Sequence, residues 1–237
     1  MHISVAASKI NKWASRQSGD TLEMVERPHG GLSFVLVDGQ SSGPGAKSLS
    51  LQVVRKVISD LAEGVRDGAV ARAANDMLYT QRRGKVSASL LILSVELDSR
   101  RLLVTRCGNS EVFVRRPGGE VLELDEAAPA LGFYRHTRPL VEQLLLEPGL
   151  LAVGCTDGLL HAGSRSSSEG LYVPDAIEAI WQDTPSAQAV ASELLDIALG
   201  LDDGRAGDDV SVIALHVQSG EADGPRQMAV EMPVPDR

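Results

Sequence analysis

The sequence predicts an α+β domain in which antiparallel β-sheets are covered by helices. The elements follow one another as strands, two amphipathic helices, a long block of strands, two more helices and a last strand. Strand blocks without intervening helices do not fit a parallel sheet, whose strands need helical crossovers. The 237 residues fit one domain, and their 43% hydrophobic content excludes a largely disordered chain.

The first predicted elements form a β-hairpin. Residues 32–38 (LSFVLVD) are a short apolar run bounded by glycines, which is typical of a strand buried on both faces. Residues 21–26 are predicted as its partner strand, and residues 28–31 (PHGG) have the composition of a turn. A glycine-rich loop then leads to the predicted helices.

Two helices are predicted after this loop, over residues 46–64 and 68–82, because apolar side chains recur there at intervals of three and four. Strands are then predicted between short turns that contain Gly, Pro, Asn or Asp, at residues 86–97, 102–107, 111–116, 120–124, 141–147 and 150–156.

The last helices are predicted over residues 174–182 and 185–199, each with Pro near its first turn, and the last strand over residues 210–217. The domain is therefore expected to span residues 1–218. Residues 219–237 are rich in Pro and Gly without a periodic pattern, which predicts a flexible tail.

Charge, hydropathy and cysteine content indicate which partners and which compartment to expect. The formal net charge of −9, from 23 basic and 32 acidic residues, argues against nucleic acid. The sequence shows neither a long apolar run nor a secretory leader, so we expect a cytoplasmic protein that does not bind membranes. Two cysteines do not make a disulfide framework, and both are predicted to be reduced and buried.

Four aspartates lie where apolar strands begin or end, namely Asp20, Asp38, Asp157 and Asp208. Each alone is more typical of a turn, because Asp and Asp-Gly pairs are common there. Together they favour a site, since converging carboxylates repel one another unless a divalent cation neutralises them. Oxygen ligands suit Mg²⁺ or Mn²⁺, and a pair of such ions can activate water against a phosphate.

The ordered set GD…VDGQSSG…SAS…CGN…TDG…GDDVS resembles the metal-dependent serine/threonine protein phosphatases of the PPM family. It is most similar to their bacterial SpoIIE-type branch, and within it to small stand-alone phosphatases of the RsbX type. The resemblance extends over about residues 19–217. It implies an α-β-β-α sandwich of two antiparallel sheets flanked by helices.

The resemblance also implies roles for individual residues. Asp38 would bridge two Mn²⁺ or Mg²⁺ ions, and the carbonyl group of Gly39 would bind one of them. Asp20 would bind directly or through water, and Asp157 and Asp208 would ligate the other ion. These four aspartates would be the catalytic residues, with an activated water attacking the phosphate and no covalent enzyme intermediate.

The sequence departs from relatives at three positions. Asn109 stands where relatives with a third metal carry Asp, and His161 where they offer another carboxylate, so two ions are expected here. Arg16 lies near the position where eukaryotic members, but generally not the SpoIIE branch, carry a phosphate-binding Arg, and a solvated surface role is favoured for it. Asp209 follows a ligand position and is expected to support the loop.

The predicted function is a phosphoserine/phosphothreonine protein phosphatase. The resemblance implies as substrate a bacterial stress-signalling phosphoprotein of the STAS-domain type, from a partner-switching or stressosome module. The resemblance further implies a switch, because in relatives the two helices after the first metal-binding loop can position the metal site. Here these helices would be those predicted within residues 46–82.

Two alternatives remain open at this point. One is a catalytically silent module of the same fold that binds a phosphoprotein. The other is a hydrolase of small phosphate esters or nucleotides, for which two Trp, three Tyr and three Phe offer little material to stack a base.

Overall fold

The computed structural model describes residues 1–164, 170–221 and 224–233. Its strands are β1 (His2–Ile10), β2 (Thr21–Glu26), β3 (Leu32–Gly39), β4 (Ala88–Glu96), β5 (Arg101–Cys107), β6 (Glu111–Arg115), β7 (Val121–Leu124), β8 (Leu140–Leu145), β9 (Leu151–Cys155) and β10 (Val210–Gln218). Its helices are α1 (Gly43–Ala62), α2 (Asp67–Arg82), α3 (Asp157–Leu160), α4 (Val173–Asp183) and α5 (Ala187–Leu201).

The strands form two five-stranded antiparallel sheets. Sheet A has the order β1-β10-β9-β6-β7, and sheet B has the order β2-β3-β4-β5-β8. Helices α1 and α2 cover the outer face of sheet B, while α4 and α5 cover the outer face of sheet A. The predicted α+β class, with two antiparallel sheets between layers of helices, is confirmed.

Three apolar layers hold this sandwich together, one between the sheets and one under each helix pair. Side chains alternate between faces along a strand. In β3, Leu36 therefore points between the sheets, whereas Val35 and Val37 pack under α1 and α2. This double burial explains why the run is apolar at almost every position.

The hairpin of β2 and β3 lies where the sequence predicts it, with Thr21 opposite Val37 and Glu26 opposite Leu32. Helix α1 begins three residues earlier than predicted, because Pro44 occupies its first turn, where a missing N–H breaks no helical bond. The other predicted helices and strands are present with ends shifted by at most two residues.

Two elements were not predicted. Strand β1 pairs with β10 along its whole length, from His2 opposite Gln218 to Ile10 opposite Val210. It is an edge strand that is only partly buried, so it lacks the apolar run of an interior strand. Helix α3 spans four residues, too few for a helical period to show in a sequence.

A residue beyond β10, Arg226, contacts the β2–β3 hairpin. Arg226 forms an ion pair with Glu26 at 3.1 Å and donates a hydrogen bond to the carbonyl oxygen of Gly30 at 2.7 Å. Residues 222–223 and 234–237, within the predicted tail, lie outside the described residues. The domain boundary at residue 218 and the flexible tail stay predictions.

Both cysteines, Cys107 and Cys155, are free and buried, as predicted. None of the helices in the described ranges is long and apolar enough to cross a membrane.

Candidate active site

The four predicted aspartates meet at one edge of the two sheets. Asp20 directly precedes β2, Asp38 lies near the end of β3, Asp157 begins α3 directly after β9, and Asp208 lies in the turn before β10. The negative charges of Asp20, Asp157 and Asp208 all act on the carboxyl group of Asp38. Both sheets therefore contribute acids to one site.

Asp20 is the most deeply held of these acids, with none of its surface exposed. Its Oδ2 accepts hydrogen bonds from the hydroxyl groups of Ser211 at 2.6 Å and Thr156 at 3.1 Å. Within the described residues its Oδ1 has no hydrogen-bond partner. The side chain is thus fixed through one oxygen, and the other is left for a different ligand.

The electrostatics at Asp38 are those of a crowded group of acids. Burial, and then the charges of Asp20 and Asp157, raise the pKa of Asp38 to about 8, and Asp208 adds to this shift. Burial also raises the pKa of Asp20, against the hydrogen bond from Ser211. At neutral pH the site without a cation therefore retains a proton that an exposed carboxyl group would have lost.

Burial likewise raises the pKa of Asp157, whereas His161 and a hydrogen bond from Asn109 act in the opposite direction. His161 and Asn109 thus lie beside Asp157. These are the two residues whose lack of a carboxylate led us to expect two ions and not three. Both are exposed, as is Arg16.

These residues fit a divalent cation that keeps most of its water. Asp38 and Asp20 lie within hydrogen-bonding range of each other, so the proton that the metal-free site retains can be shared between them, and a divalent cation would replace it. In the described part of the chain, no group of three acidic, imidazole or thiol side chains is arranged to hold a metal ion. Mg²⁺ is commonly bound through one or two carboxylates with several waters, and the unpartnered Oδ1 of Asp20 suits such a site.

Asp209 supports the loop beside the site. Its two carboxylate oxygens accept hydrogen bonds from the backbone N–H groups of Lys12 and Gly19, each at 2.8 Å. It is 5% exposed and ties the segment between β1 and β2 to the start of β10. The neighbouring Asp208 is half-buried and forms an ion pair with the Lys12 side chain at 3.5 Å.

Two lysines beside the acids were missed by sequence reasoning. The ammonium groups of Lys9 and Lys47 donate hydrogen bonds to the carbonyl oxygen of Asp20, at 2.9 Å and 2.7 Å. Burial lowers the pKa of both ammonium groups, and the charge of Asp20 opposes that shift. Lys9 lies on the unpredicted strand β1, so the sequence carried no signal that it would reach the site.

Glycines next to the acids allow close contacts between elements. A Cβ atom on Gly39 would lie 2.3 Å from the carbonyl oxygen of Ala46 in α1, and one on Gly158 would lie 2.1 Å from that of Asp209. A Cβ atom on Gly19 would lie 2.8 Å from the Ala46 side chain. The Asp-Gly pairs therefore have a packing role as well as a place in the site.

The profile of the family "Stage II sporulation protein E (SpoIIE)" matches residues 28–218. The chain belongs to the SpoIIE family. The stage II sporulation protein E of Bacillus subtilis is 19% identical over 215 residues, which are 91% of this chain and 26% of that protein. The chain thus spans about a quarter of that relative's length.

Solved structures of phosphatases share the fold. The PP2C phosphatase domain of Bacillus subtilis SpoIIE, with a fragment of its regulatory domain, has a TM-score of 0.78 at 19% identity, covering 92% of this chain and 64% of that one. RsbX in complex with magnesium has a TM-score of 0.69 at 19% identity, and the match covers 92% of this chain and 96% of that one. The catalytic domain of the serine/threonine phosphatase PstP in complex with two manganese ions has a TM-score of 0.70 at 18% identity. That match covers 92% of this chain and 99% of that one. The predicted SpoIIE-type relationship and fold are confirmed.

The pKa of Asp38 predicts how stability depends on pH. The folded protein holds this proton up to a pKa of about 8, whereas an unfolded Asp releases it near about 4. Folding therefore binds a proton between these values, and the metal-free protein loses stability as the pH rises through this window. We expect Asp38→Asn to reduce this loss and to raise the melting temperature at about pH 8 by about 5 °C.

Thermal unfolding in EDTA across this pH range measures the effect. The control is Asp196→Asn, which removes an exposed carboxylate on α5. If the melting temperatures of wild type and Asp38→Asn depended on pH in the same way, burial and the neighbouring acids would not raise the pKa of Asp38.

Removal of the Asp209 carboxylate is expected to destabilise the protein. Asp209→Ala leaves the N–H groups of Lys12 and Gly19 without their acceptor. Hydrogen bonds to a charged group contribute about 1.5–3 kcal/mol each. We expect a loss of about 3 kcal/mol in the free energy of unfolding in urea, against less than about 0.5 kcal/mol for Asp196→Ala. A loss as small as the control's would contradict the loop-support role.

Proposed function

We propose that this chain is a divalent-metal-dependent phosphoserine/phosphothreonine protein phosphatase. The observation that carries the proposal is the buried Asp20, whose unpartnered Oδ1 lies in a group of acids that raises the pKa of Asp38. Membership of the SpoIIE family and the fold shared with PP2C phosphatases support it. The likeness to RsbX with magnesium and to PstP with manganese supports Mg²⁺ or Mn²⁺ as the ion.

Each acid has a proposed role in holding two ions. Asp38 and the carbonyl group of Gly39 would hold one ion, Asp157 and Asp208 the other, and Asp38 would contact both. Asp20 would bind directly or through water by its Oδ1. When bound, the ions would supply an activated water as the nucleophile and neutralise charge on the phosphate.

The surrounding residues keep these acids in place. Ser211 and Thr156 bind one oxygen of Asp20, so the other stays directed away from them. Asp209 holds the segment that carries Asp20 against β10. The thiol groups are unsuited to act as nucleophiles, because burial raises the pKa of Cys107 to about 12 and also raises that of Cys155.

We also propose that the substrate is a phosphorylated regulatory protein of the STAS-domain type in bacterial stress signalling, and that the enzyme acts in the cytoplasm. This finer proposal rests on the likeness to SpoIIE and RsbX phosphatases.

A switch role for α1 and α2 is a further part of the proposal. Gly39 touches Ala46 of α1, and the hydroxyl group of Ser50 in α1 donates to the carbonyl oxygen of Gly19. A movement of α1 would therefore shift the segments that carry both Asp20 and Asp38.

Hydrolysis of a phosphoserine peptide tests the proposed activity. We expect turnover with Mn²⁺, none in EDTA, and a loss of about 10³-fold in Asp38→Ala, because metal catalysis supplies several kcal/mol. The charge-matched control Asp196→Ala is expected to retain wild-type rates. Release of phosphate without metal, or undiminished by Asp38→Ala, would exclude this mechanism. Binding of phosphoproteins without any turnover would favour the catalytically silent module.

A further inference from the structure

An open cleft of about 260 Å³ borders the predicted ion site. Its walls come from the turn between β5 and β6, from the segment after β7, and from α3. Asp157 belongs both to this cleft and to the group of acids around Asp38. A molecule in the cleft would therefore lie next to the proposed reaction centre.

The cleft carries an excess of negative charge. Besides Asp157, the carboxylates of Glu111, Asp125 and Glu126 line it. Its buried cation is already paired, because Arg106 is 2% exposed and donates a hydrogen bond to Glu142 at 3.0 Å.

The pKa of Glu111 shows that acidic side chains on this wall of the cleft repel one another. This pKa is raised by burial and then by the neighbouring carboxylate of Glu123, with a smaller addition from Asp125 and opposition from Arg106. The charged groups that face Glu111 are thus mostly acidic, although it lies near a guanidinium group. A cation entering the cleft would relieve this repulsion.

Ser110 adds an unsatisfied polar group to the wall of the cleft. This residue lines the cleft, is 2% exposed, and within the described residues its Oγ has no hydrogen-bond partner. A buried hydroxyl group without a partner costs free energy in a protein interior. An N–H group of a ligand would satisfy it as an acceptor.

We propose that this acidic cleft receives a lysine or arginine side chain of the phosphoprotein substrate. Its ammonium or guanidinium group would pair with Glu111, Asp125 and Glu126, while the phosphorylated residue of the same segment lies at Asp157. The inference rests on the proposed phosphatase function and adds a substrate class to it: phosphoserine or phosphothreonine with a basic residue a few positions away.

Paired phosphoserine peptides test this preference. The peptides are identical except for Lys or Met at one position, scanned over the residues on both sides of the phosphoserine. We expect kcat/KM with Mn²⁺ to favour one Lys peptide by about 10-fold over its Met counterpart. In the double variant Asp125→Asn/Glu126→Gln this ratio is expected to fall to about 2-fold or less, whereas Asp196→Asn retains it.

A charge reversal sharpens the test. We expect Glu126→Lys to lose the preference for Lys and to favour a peptide with Glu at the same position. Equal rates on Lys and Met peptides in the wild type, or a ratio that the double variant leaves unchanged, would overturn the inference. So would variants that change only the Mn²⁺ concentration needed for activity, because the cleft would then hold a metal ion. Hydrolysis of neither peptide would instead refute the proposed function, and this inference with it.

Discussion

The repulsion between the carboxyl groups of Asp38 and Asp20 is the constraint on which the rest of the site depends. Burial makes both charges costly, and at Asp38 the charges of Asp157 and Asp208 add to the cost. Hydroxyl groups of Ser211 and Thr156 satisfy one oxygen of Asp20, and Lys9 and Lys47 bind its carbonyl group. The remaining negative charge requires protons or a divalent cation, so the state of the site is linked to pH and to metal.

The sandwich makes this crowding possible, because elements from both sheets are held close together at one edge. Glycine follows Asp38 and Asp157, and in each case a Cβ atom would collide with the carbonyl oxygen of a neighbouring element. The same Asp-Gly pairs therefore serve packing and the site, and the structural and functional interpretations of those pairs do not exclude each other. Asp209 adds a third tie, from β10 to the segment before β2.

The elements that could be predicted from the sequence are those whose patterns lie within a few consecutive residues. The β2–β3 hairpin and the apolar run of β3 are visible in a few consecutive residues, and the strand ends locate the four aspartates. Strand β1 escaped notice because an edge strand is only half-buried. The contact between Lys9 and Asp20 and the acidic cleft are both formed by segments far apart in the chain that meet only in the fold, so no local pattern could reveal them.

The most direct test of the account is a crystal structure of the protein grown with Mn²⁺, in which anomalous scattering locates the metal. The account predicts two Mn²⁺ ions about 3.5–4 Å apart at the edge where the sheets meet, with Asp38 contacting both. It also predicts that Oδ1 of Asp20 faces one ion directly or through water. Manganese bound elsewhere, or absent from this edge in crystals of protein that hydrolyses phosphoserine, would contradict it.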